Sequence, residues 1–92
     1  MPVNQLLSES RQLARARAAL RAHDPDRALE LLKVGSSPTA VLAQEREALT
    51  IEALAAKPAL RAKAMARARA FMAAYPHSPY RARIRALALE GE

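Results

Sequence analysis

Four prolines, Pro25, Pro38, Pro58 and Pro79, cut a helix-forming chain into five segments of comparable size. Proline suits the first turn of a helix, where its missing N–H would have had no partner. Asp24, Ser37 and Ser78 each stand directly before one of these prolines and bring a side-chain oxygen to the capping position; only Lys57-Pro58 lacks one. The pattern predicts a helix start at each proline. The step from Pro25 to Pro58 is 33 residues, close to the roughly 34-residue period of helix-turn-helix repeats, whose units bury their apolar faces only against one another. A scaffold is expected, not a reaction centre.

Alanine makes up about a quarter of the chain, and glycine occurs only at Gly35 and Gly91. Both facts favour helix over sheet. The predicted fold is all-α, with about five antiparallel helices. These form two helical hairpins, helices 1 with 2 and 3 with 4, and a C-terminal helix that caps the stack. A single domain is expected over residues 1–92, with a thin core, since a chain this short buries only about 60–65% of its unfolded surface.

Helix 1 is expected from Asn4 or Ser8 to Arg21, with Leu6, Leu13 and Leu20 seven apart and Ala16 between them. Helix 2 follows a short turn at Ala22–Asp24, carries Ala28, Leu29, Leu31 and Leu32, and stops at Gly35. Helix 3 is expected over 38–56, with Val41, Leu42, Ala48, Leu49, Ile51 and Leu54 on its apolar side. Helix 4, over 58–75, has the clearest helical period: Leu60, Ala64, Ala68, Phe71, Met72 and Tyr75. Helix 5, over 79–89, places Tyr80, Ile84, Leu87 and Ala88 on one stripe.

The formal charge of +6 is unevenly placed. Residues 1–56 are balanced, whereas residues 57–92 hold the entire excess. Arg61, Lys63, Arg67, Arg69, Arg81, Arg83 and Arg85 form a candidate basic patch on helices 4 and 5. Such a patch would attract nucleic acid or another anionic polymer. It would bind through phosphates without reading sequence, because no element is aimed at base edges and Phe71, Tyr75 and Tyr80 are too few for a stacking platform.

No cysteine is present, which excludes disulfides, thiolate zinc sites and cysteine nucleophiles. Cysteine usage therefore suits a cytoplasmic and a periplasmic home alike. No segment approaches the about 20 apolar residues of a membrane span, and the first residues show neither part of a signal peptide. A piece of a longer protein and a complete chain both fit this beginning.

His23 and His77 lie in separate turns and lack the spacing of metal ligands. Ser36, Ser37 and Ser78 read as turn and cap residues, and Glu45, Glu47 and Glu52 as surface ion-pair partners. No catalytic residue, metal or cofactor is assigned.

The run from Ala19-Leu20 through Asp24-Pro25 to Ala28, Leu29, Leu31 and Leu32 resembles the turn into the second helix of a tetratricopeptide repeat. Ala28 falls at that family's small crossing position and Leu32 at the large apolar position after it. A second, shifted unit leads through Ala64, Ala68 and Phe71 into Tyr75-Pro76. Over about residues 8–87 the chain is also similar to the C-terminal tetratricopeptide-like region of bacterial membrane-anchored regulators of envelope signalling. The residues that carry this likeness include Leu13, Arg27-Ala28-Leu29, Glu45 to Leu49, and Ser78-Pro79-Tyr80-Arg81. Its Tyr75-Pro76 and Ser78-Pro79-Tyr80 ending is similar to that of envelope lipoprotein assembly factors. What the resemblance implies is binding of another protein or peptide in a groove lined by helices 1 and 3, and a periplasmic home if the parent protein is membrane-anchored. Arg11, Arg15, Gln44 and Arg46 are the candidate groove residues. Self-association through helix 1 or helix 5 is a further expectation, since a short stack covers its ends poorly.

Overall fold

The computed structural model describes residues 3–33 and 39–90. They form α1 (Val3–Arg21), α2 (Pro25–Lys33), α3 (Ala40–Ala55), a 3-10 turn (Pro58–Leu60), α4 (Arg61–Ala74) and α5 (Arg81–Glu90), with no strand among them. The all-α expectation of about five helices holds.

Each helix packs on its sequence neighbour, as short connections dictate. Two further contacts organise the whole: α3 touches both α1 and α5, while α2 and α4 do not touch each other. The odd-numbered helices therefore lie side by side in one layer, and α2 and α4 sit apart in a second. The smallest molecular extent, 17 Å, matches two helix layers.

Local chemistry explains the hairpin of α1 and α2. His23 adopts a left-handed backbone (φ 60°). That lets its N–H reach the Leu20 carbonyl at 3.0 Å and the Asp24 N–H reach the Ala19 carbonyl at 2.9 Å, the paired bonds of a Schellman C-cap. Asp24 then caps the next helix: its Oδ1 accepts from the Arg27 N–H at 3.2 Å, and Pro25 fills the first helical position as expected.

The other proline sites depart from expectation. Helix α3 starts at Ala40 and is capped by Thr39, whose hydroxyl accepts from the Leu42 N–H at 3.2 Å. Ser37, Pro38 and the expected stop at Gly35 lie outside the described residues. Pro58 opens the 3-10 turn rather than α4 itself. Pro79 sits in a turn closed by Arg81 N–H donating to the Ser78 carbonyl at 3.1 Å, so α5 begins two residues later than predicted. Ser78 still caps locally, its hydroxyl accepting from the Tyr80 N–H at 3.2 Å.

Among the described residues the core comprises three clusters, and α3 contributes to every one. Ala48 and Ile51 pack with Ala68, Phe71 and Ile84. Leu49 packs with Leu13, Ala16 and Leu32. Ala53 packs with Ala19 and Ala28, where three alanines let α1, α2 and α3 approach closely. Among the described residues, half of the buried apolar side chains are alanine. Each alanine methyl contributes about 0.8 kcal/mol against about 1.5–3 for a buried Leu, Ile or Phe, so cohesion depends on a few large side chains such as Leu13, Ile51, Phe71 and Ile84.

Two expected core positions are exposed. Leu6 is 37% and Val41 63% accessible. The cause at Leu6 is length: α2 has 9 residues against 19 in α1, so the first turns of α1 run past the end of their partner. Val41 lies in the first turn of α3 beside Leu42, which packs on the core, while Val41 borders an open hollow with the Tyr75–Tyr80 connection.

Candidate protein-binding faces

The side-by-side packing of α1, α3 and α5 makes one continuous face, held by carboxylates of α3. Glu45 accepts from Arg17 of α1 through one oxygen and from the Tyr80 hydroxyl through the other, the latter at 3.3 Å. Glu52 accepts from Arg83 of α5. Because odd helices touch while even ones do not, the stack is tighter on this side.

A recess of about 290 Å³ opens on this face where α1, α3 and α5 end. Leu20, Ala55, Ala56, Met65 and Leu87 supply its apolar wall, and Arg61 and the Glu52–Arg83 pair supply its polar edge. Leu20, Met65 and Leu87 are half-buried, so their apolar surface remains within reach of a ligand.

The opposite side carries a furrow. Since α2 and α4 stand apart, α3 is uncovered between them, and Leu29, Leu54 and Leu60 floor a groove of about 420 Å³. Lys33 stands on the α2 side and Lys63 on the α4 side, both exposed. Arg67 forks onto Glu47, with Nε to Oε2 at 2.8 Å and Nη2 to Oε1 at 2.5 Å. That hydrogen bonding raises the Arg67 pKa above its ordinary value, burial opposes the rise, and attraction to the Glu47 charge adds to it.

The four residues expected to share a groove are dispersed. Arg11 and Arg15 lie with Leu7 and Ser8 along α1. Gln44 borders a separate hollow formed with Val41 and the Tyr75–Tyr80 connection. Arg46 points to the even-helix side, where it donates to Glu9 and to the Leu32 carbonyl; its side chain is 14% exposed. Residue Arg46 is thus committed to the fold. Helical rotation explains the scatter, for Glu45 and Arg46 are 100° apart around α3 and face different layers.

The basic residues separate in the same way. Arg61 and Arg83 edge the recess, Lys63 and Arg67 edge the furrow, and Arg81 and Arg85 lie on the outer side of α5 with Ala82 and Leu89. Arg69 is exposed on α4, and both Arg67 and Arg83 are engaged by carboxylates. One continuous phosphate track is not what they build. Arginines also flank both ends of the stack, Arg11 and Arg15 at α1 and Arg81 and Arg85 at α5, so an end-to-end contact would bring like charges together.

His23 and His77 are exposed in their turns, and among the described residues no group of three or more His, Cys, Asp or Glu is placed to hold a metal. No helix of the described residues is long and apolar enough to cross a membrane. No family model, curated protein or solved structure matches this chain.

Proposed function

We propose that this chain is a non-catalytic protein-interaction scaffold of tetratricopeptide-like type, which holds a peptide segment of a partner on the α1–α3–α5 face. The resemblance of its motifs sets the proposed context as bacterial envelope or transcriptional signalling. One observation carries the reading: three parallel-running helices present a common face with an apolar recess at one end, edged by Arg61 and Arg83. Apolar walls with few convergent polar groups suit side-chain capture. The dispersal of the basic residues favours this reading over nucleic-acid binding.

The test uses the 92-residue chain as bait in source-cell lysate, with and without nuclease, at low and physiological salt. Ala56→Arg fills the recess from an exposed position at the end of α3, and Arg61→Glu reverses its edge. A discrete protein that survives nuclease and salt and is lost with both variants supports the proposal. Material that disappears with nuclease and salt, or a protein captured equally by both variants, overturns it.

A further inference from the structure

We infer that the furrow between α2 and α4 is a second docking site, and that its occupant is an acidic amphipathic helical segment of a partner protein. The inference is independent of the α1–α3–α5 face, which lies on the other side of α3.

Three features select that occupant. The floor is apolar: Leu29 and Leu60 are half-buried and present hydrocarbon to whatever lies above them, over the buried Leu54. The polar group in the floor is already satisfied, since the Thr50 hydroxyl donates to the Arg46 carbonyl at 2.8 Å. A ligand therefore meets this strip with apolar side chains, not with hydrogen-bonding ones.

The rims carry the second feature. Lys33 and Lys63 face the furrow from opposite banks, and neither forms an ion pair among the described residues. The remaining cations here are occupied, Arg67 by Glu47 and Arg46 by Glu9. The unneutralised charge of the furrow is thus positive on both sides of an apolar strip. Its complement is an apolar stripe flanked by carboxylates.

The third feature is shape. The furrow runs between two helices packed on a third, the geometry in which an amphipathic helix seats its apolar anchors at i, i+3, i+4 and i+7. A nucleic acid has no use for a leucine floor and finds no aromatic here on which to stack a base.

The experiment is fluorescence anisotropy on the full 92-residue chain, with a labelled helical peptide of roughly 14 residues bearing Leu at i, i+3, i+4 and i+7 and Glu at flanking positions. A scrambled peptide of the same composition and a single-stranded RNA oligonucleotide serve as competitors. The amphipathic peptide is expected to bind at least about tenfold tighter than the scrambled one, because only it aligns its leucines. Lys33→Glu with Lys63→Glu should weaken binding roughly tenfold or more, while Ala56→Arg on the other face leaves it unchanged.

Amide-resolved NMR of the unsubstituted chain supplies a readout that needs no variant: shifts should gather at Leu29, Leu54 and Leu60. Absence of binding, equal affinity for the scrambled peptide, displacement by the RNA, or shifts confined to the α1–α3–α5 face would each overturn the inference. Because Ala56→Arg blocks the recess alone, loss at one face is distinguishable from loss at the other.

Discussion

Glu9 of α1 and Arg46 of α3 meet across the end of α2: Arg46 Nε donates to Glu9 Oε1 at 3.0 Å, while its Nη1 donates to the Leu32 carbonyl. One guanidinium thus ties together three helices, bonding a carboxylate of α1 and a carbonyl in the last turn of α2. The Glu9 side chain is 6% exposed, so its charge resides where an unpaired carboxylate would be costly.

Arg46→Ala should therefore destabilise the fold by about 3–5 kcal/mol, a large share of the ~5–15 kcal/mol of an ordinary domain. The double replacement Glu9→Leu with Arg46→Met should recover most of that loss, because it removes both charges and keeps the volume. Urea unfolding followed by circular dichroism measures both. A single-variant loss below about 1 kcal/mol would show that water reaches the pair and that it behaves as a surface bridge.

His23 occupies a left-handed position that glycine adopts without steric conflict (φ 60°). His23→Gly is expected to stabilise by about 0.5–1 kcal/mol, and His23→Val to destabilise by a similar amount or more. In a domain of this size, thermal melts should separate the two variants by several degrees, roughly 4–8 °C per kcal/mol. Unchanged melting for both would mean that the turn relaxes to another backbone conformation.

Ile84 is fully buried against Ile51 and Phe71, and it is the largest side chain that α5 commits to the core. Ile84→Ala should cost about 2–5 kcal/mol. If α5 is an integral part of the fold, the melt remains a single transition at lower temperature. A separate early loss of one helix, with the rest melting at its former temperature, would instead identify α5 as an independently fraying cap.

What could be read from the chain divides by sequence separation. Asp24-Pro25 was legible because a cap acts on amides three residues away. The stripe Ala64, Ala68, Phe71 was legible because one helix face sets it. At the start of α3, two hydroxyl residues compete within three positions, Ser37 and Thr39, and local rules do not choose between them. Sequence alone places Arg46 in a groove, whereas its partner Glu9 lies 37 residues away, and no local period announces such a pair. The furrow has no sequence signature for a related reason. It exists because α2 and α4 fail to touch, and a missing contact leaves no mark in a hydrophobic pattern.

Residues of α3 serve opposite sides of the molecule: Glu45 secures α1 and, through Tyr80, the turn that leads into α5; Arg46 and Glu47 secure α1 and α4; and Glu52 reaches α5. That helix is a shared wall between recess and furrow. Any ligand that rolls or shifts α3 at one face alters the fit at the other. Were both faces occupied, reciprocity would require any such coupling to change the two affinities by the same factor.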